Sequence, residues 1–124
     1  MMNIVLWILQ VVLALAFAMT GISKLTQPKE KLAAQMGWVE EFSQGTVRLI
    51  GLVELLAAIG LLLPALTGIL PILTPLAALG LVLVMVGAML THQRRKETPM
   101  VGVNLVLLLL AAFVAYGRFV AVPL

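Results

Sequence analysis

Cysteine is absent from this chain of 124 residues, and charge is scarce. Without a thiol there is no disulfide, no thiolate metal site and no cysteine nucleophile. A single histidine stands at His92, and one His with one Glu is not a metal signature. Charged residues make up only 10% of the sequence, whereas 63% is hydrophobic. A soluble domain of this length needs far more polar surface. Lipid is the solvent that accepts apolar side chains on this scale. In a soluble protein the net charge of +3 would hint at nucleic acid. Here the basic residues flank apolar runs, so the bilayer and its anionic surface are the expected partner, and no nucleic acid is expected. No linker, low-complexity tail, soluble domain or internal repeat interrupts the pattern.

Four stretches approach the roughly 20 residues that a helical crossing needs. They predict helices over about 3–24, 46–63, 75–92 and 99–121. The expected fold class is all-α, an integral membrane bundle of four transmembrane helices forming one domain over 1–124. Pro64, Pro75 and Pro99 fall near helix edges, where a missing N–H does least harm. The run from Pro64 to Pro75 reads as a short apolar connection, with a helix continuing past Pro64 equally allowed. The stretch 28–44 mixes Lys29, Glu30, Lys31, Glu40 and Glu41 with Leu32, Met36, Trp38, Val39 and Phe42. It reads as a short helix lying in the interface with Trp38 as anchor. Ala16-Phe17-Ala18 faintly resembles a signal-cleavage site. No basic residue precedes that apolar run and the run is too long, so it is read as a retained helix.

Orientation follows from the basic residues. The first loop, with its flanks, contains Lys24, Lys29, Lys31 and Arg48, and the third contains Arg94, Arg95 and Lys96. The positive-inside rule therefore places loops 25–45 and 92–98 in the cytoplasm and both termini outside. Trp7 and Tyr116 then fall at the outer interface, where aromatic belts form. Arg118 alone breaks the asymmetry, as an outer-side charge open to a lipid phosphate, a chain terminus or a partner.

The polar residues within the spans are the informative ones. Glu54 lies in the second span and shares a helical face with Gly51, Ala57 and Ala58. Small residues mark contacts between membrane helices, so Glu54 is expected to face the bundle. A central carboxylate costs about 2.5–3.5 kcal/mol to insert, and it calls for a partner. The partner should come from another helix, because Arg48 lies about 120° away on the same one. Similar stripes run through Gln10, Ala14, Phe17, Gly21 and Lys24, through Ala78, Leu81, Met85, Ala88 and His92, and through Asn104, Ala111, Ala115 and Arg118. Thr20, Ser23, Lys24, Arg48, Glu54, His92 and Asn104 all fall in the cytoplasmic half and predict a polar cluster there. Two readings of it stay open. In one, Glu54 and Asn104 are structural glue while Lys24, Arg48 and His92 snorkel to the interface. In the other, the cluster is a ligand, quinone or proton site.

Several segments resemble one family. They are Gly21-Ile22-Ser23-Lys24-Leu25, Arg48-Leu49-Ile50-Gly51-Leu52-Val53-Glu54-Leu55, Leu61-Leu62-Leu63-Pro64 and Thr74-Pro75-Leu76-Ala77-Ala78. Asn104 and Ala115-Tyr116-Gly117-Arg118-Phe119 complete the set. In order and spacing these resemble the DoxX-like family of small four-helix membrane proteins. The resemblance implies a four-helix bundle in the cytoplasmic membrane. It also implies a link to redox chemistry, since one relative is a subunit of a thiosulfate:quinone oxidoreductase. The chain shows no cysteine and no haem-ligand pair, so electron transfer through a cofactor of its own is not expected.

The first functional expectation is a non-catalytic accessory or scaffold subunit of a membrane complex, associated with a quinone-linked oxidoreductase, with a membrane-protein partner or a second copy of itself. The first alternative is a binding site for a quinone or lipid around Glu54 and Asn104. The second is an oligomeric transporter or channel, although no inverted repeat is visible. No catalytic motif and no metal site are read from the sequence, and no cofactor is evident beyond a quinone or lipid.

Overall fold

A computed structural model describes the backbone of residues 1–124 and all side chains except those of Gln35, Glu40 and Glu41. Four long helices carry the fold: α1 (Met2–Thr26), α3 (Gln44–Thr67), α4 (Leu73–Arg94) and α5 (Thr98–Tyr116). Between α1 and α3 lie a short helix, α2 (Lys29–Gln35), and a 3-10 turn (Gly37–Glu41); a π-helical turn (Gly117–Ala121) prolongs α5. No strand occurs among the described residues. Each long helix, with α5 taken through its π turn, is long and apolar enough to cross a bilayer. The protein is a four-helix, multi-pass membrane bundle.

The helix ends have local causes. α1 stops just before Pro28, whose ring disfavours helical backbone in the residue ahead of it. α3 begins earlier than the apolar run suggests because Ser43 caps it, its Oγ accepting the Thr46 N–H at 3.2 Å. α3 also runs through Pro64, where the expectation left two outcomes open. It stops at Gly68, whose φ of 72° is the left-handed conformation that glycine adopts without penalty.

Pro64 carries no N–H, so the carbonyl of Gly60 loses its helical donor. Thr74 on α4 supplies one, its Oγ1 donating to Gly60 O at 2.9 Å. One residue on, Gln10 Nε2 of α1 donates to Leu61 O at 2.7 Å. Two neighbouring helices thus satisfy the backbone around the proline, which lipid cannot do.

The chain forms two antiparallel hairpins. α1 packs most extensively on α3 and α4 on α5; α3 meets α4, while α1 and α5 touch less. Both termini and the 68–72 turn lie at one end of the bundle, the terminal end. The α2 segment and the Arg95–Glu97 connection lie at the other, the loop end. The main core includes Leu6, Leu13, Phe17, Leu61, Leu81 and Val114. A small second core at the loop end joins Leu32, Val39 and Val47, with Met36, Trp38 and Phe42 packed around it.

Within 28–44 the α-helix is confined to Lys29–Gln35, and this second core holds the segment together. The segment breaks after Gln35, and Trp38 turns inward, edge to face with Phe42 at 5.6 Å between ring centres. Gly37 sits at the break, where an added Cβ would lie 2.8 Å from Arg95 Nη2. The loop is therefore drawn down onto the end of α4. Glu40 and Glu41, which entered the expected amphipathic pattern, have side chains outside those described.

Candidate functional site

The site begins with two glycines. A Cβ on Gly21 of α1 would stand 2.7 Å from Gly51 O of α3, and one on Gly51 would stand 2.8 Å from Gly21 O. The two backbones therefore touch, as small residues allow in membranes. Three residues beyond each glycine stands a charged residue on the same helical face, Lys24 and Glu54. Lys24 Nζ donates to Glu54 Oε1 at 2.5 Å. Thr20 Oγ1 lies 3.4 Å from Glu54 Oε2, a weak contact at the limit of hydrogen bonding. Glu54 is 2% exposed and Lys24 8%. Lys24 Nζ also lies 5.2 Å from the centre of the Trp38 ring, within cation–π reach.

Across the bundle, Asn104 of α5 is 5% exposed, and its Nδ2 has no hydrogen-bond partner among the described residues. Nearby, His92 at the end of α4 turns back to the connection. Its Nδ1 lies 2.9 Å from Glu97 Oε1, which also accepts from Arg95 Nε at 3.1 Å. The hydrogen bond from His92, followed by the charge of Arg95, holds the Glu97 carboxyl below the usual carboxylate range, against an opposing desolvation. Arg95 thereby joins the Glu97 carboxylate to the broken loop at Gly37.

Thr20, Lys24, Trp38, Glu54, His92 and Asn104 line one cavity of about 600 Å³ in the loop-end half of the bundle. All four long helices and the α2 segment contribute to its wall. Thr20, Lys24, Glu54, His92 and Asn104 form its polar part; Phe17, Met85 and Leu107 are among the apolar residues, and Trp38 and Phe42 close it from the loop. Leu49 and Val53 of α3 and Leu83 and Gly87 of α4 also line it while remaining exposed. Met100 and Val103 of α5 do the same, so the cavity opens sideways past exposed residues of α3, α4 and α5, toward the hydrocarbon of the bilayer.

Five of the seven residues expected in the polar cluster meet here. Ser23 and Arg48 do not. Ser23 is half-buried beside the pair, and Arg48 is exposed on the outer face of α3. Lys24 and His92 do not snorkel, as the structural reading of the cluster had them; both are buried and paired within the protein. Trp38 and Glu97 are the additions. Neither could be placed from helical spacing, because one lies in the broken loop and the other in the turn after α4.

Arg118 stands apart at the terminal end and is 2% exposed. It donates to three neutral oxygens: Gln10 Oε1 at 2.7 Å, Asn3 Oδ1 at 2.8 Å and Val122 O at 3.0 Å. Its guanidinium lies 5.8 Å from the Trp7 ring centre. It thus ties α1 to the last turn of the chain and, through Gln10, to the carbonyls beside Pro64.

Chemically, the site offers a buried ion pair, an unengaged amide and an apolar hollow. It holds no group of three or more His, Cys, Asp or Glu side chains suited to a metal among the described residues. No curated protein and no solved structure matches the chain. Residues 8–114 match the DoxX-like family, which spans the cavity and nearly all of the bundle, and the chain belongs to that family.

Proposed function

We propose that this protein holds an amphipathic small molecule, a quinone or a lipid, in the cavity beside Glu54 and Asn104. The observation that carries this reading is the cavity itself. Its volume of about 600 Å³ falls within the usual range for small-molecule sites. Its wall is mostly apolar, with a few convergent polar groups at one end, and its opening faces lipid. The reading places the loop end in the cytoplasm, because Lys29, Lys31, Arg48, Arg94, Arg95 and Lys96 cluster there. The ligand's polar end then lies toward the inner leaflet.

The test is a gentle purification from native membranes, followed by mass spectrometry of everything retained. The wild type is compared with Ala88→Trp, which fills the cavity. A stoichiometric quinone or lipid present in the first and absent from the second is the expected result. A wild type that carries no small molecule above detergent background overturns the proposal.

A second reading, an accessory subunit that packs on another membrane protein or on its own copy, draws on Gly80 and Gly102. Neither has any side chain or neighbouring helix within 4 Å of where a Cβ would stand. Such open small-residue faces admit another helix. The same purification reports on it through any protein retained in fixed ratio.

A further inference from the structure

We infer that the molecule held in the cavity has an uncharged head that accepts a hydrogen bond, carried on an apolar body, and that Asn104 reads that head. The inference rests on the cavity reading above and adds the chemical class of the head.

The charged groups around the cavity are already spoken for. Glu54 Oε1 is taken by Lys24 and Oε2 faces Thr20. Lys24 is shared between Glu54 and the face of Trp38. His92 is engaged at Nδ1 by Glu97, whose Oε1 Arg95 also reaches. An anionic or cationic head would lose its hydration, while the nearest opposite charges, Lys24 and Glu54, already neutralise each other. A neutral head avoids that penalty.

Asn104 supplies the positive requirement. Asn104 lies on the cavity wall, and its Nδ2 is buried with no partner among the described residues. A buried donor left empty carries its desolvation penalty, which is relieved when an acceptor arrives. A carbonyl, ester or ether oxygen fits, and an apolar body fits the surrounding Phe17, Met85 and Leu107 surface. The exposed faces of Leu49, Val53, Leu83 and Gly87 let such a molecule enter from the bilayer without crossing water.

The experiment uses the full-length chain in detergent micelles, carrying Trp7→Phe so that Trp38 on the cavity wall is the sole emitter. Three brominated amphiphiles of equal chain length serve as quenchers: a methyl ester, a permanently cationic alkyl trimethylammonium and a permanently anionic alkyl sulfate. The ester is expected to quench Trp38 saturably, and the charged probes only in proportion to their share of the micelle. Asn104→Leu is expected to weaken the ester by about tenfold while the melting transition is retained. Saturable quenching by either charged probe at the ester's affinity overturns the neutral-head inference and leaves the cavity reading standing. So does an ester affinity unchanged in a folded Asn104→Leu. Absence of saturable quenching by all three probes overturns the cavity reading, and this inference with it. The head-group comparison needs only the Trp7→Phe chain, so it decides the matter even if Asn104→Leu does not fold.

Discussion

Gly21 and Gly51 touch backbone to backbone, and the charged partners Lys24 and Glu54 each follow their own glycine by three residues. The close approach brings the two helices near enough for a short ion pair to form across them. Replacing either glycine by alanine puts a Cβ 2.7 Å from heavy atoms of the opposite helix, so the helices must separate. A loss of about 1–3 kcal/mol is expected, read as a lower melting temperature in detergent. Gly102→Ala is the control. It has open space around it, and alanine is the better helix former by about 1 kcal/mol, so that variant should hold or gain stability.

The Lys24–Glu54 pair is expected to behave as a unit. Lys24→Met alone leaves a buried carboxylate without its cation, and Glu54→Leu alone leaves a buried ammonium without its anion. Each should cost about 3–5 kcal/mol. The double variant removes both charges and should recover most of that loss. A double-mutant cycle on unfolding in a mild denaturing detergent reads the coupling, and additive losses would show that the pair is not one.

Around Pro64 the expected outcome is conditional. Thr74→Val removes the donor to Gly60 O and should destabilise the wild-type chain by about 1–3 kcal/mol. In a Pro64→Ala background the backbone N–H returns and can serve that carbonyl itself, so the same Thr74→Val change should matter much less. Melting temperatures of the four chains, wild type, two singles and the double, decide it.

The loop latch should respond to acid. Glu97 is ionised to lower pH in the folded protein than in the unfolded chain. Its contribution is therefore complete above the usual carboxylate pKa and disappears as the pH falls through the depressed folded value. Acidification through and below the usual carboxylate range should loosen the connection and the broken loop it holds. Trp38 emission in a Trp7→Phe chain is the readout, and Glu97→Gln should remove that acid step while leaving emission at neutral pH the nearer to the loosened value.

The inward faces of the helices were legible because small and polar residues recur at helical spacing. Gln10, Gly21, Lys24, Gly51, Glu54, Ala78, His92, Asn104 and Arg118 all lie on buried surfaces. Spacing along one helix does not reveal the register between two, so the sequence predicted a cross-helix partner for Glu54 without naming Lys24. Arg48 shows the complementary error. It lies toward the same end of the bundle as Glu54 but on another face of α3, and being at one depth does not bring two side chains together. The break after Gln35 leaves no signal in helical spacing, and nothing local announces that Arg95, far along the chain, packs beside Gly37 there. Thr74 serving Gly60 was likewise invisible, since the vacancy is a backbone carbonyl and leaves no trace in side-chain pattern.

The carbonyls beside Pro64 carry one more consequence. Gln10 and Thr74 grip them from either side, and Arg118 fastens Gln10 to the end of the chain. All of these ties lie toward the terminal end, while the hollow lies toward the other. The two hairpins are thus jointed like tongs, with the rivet at the proline and the jaws at Glu54 and Asn104. For a guest of the proposed kind, those ties hold the terminal end, while the untied ends of the two hairpins bound the hollow.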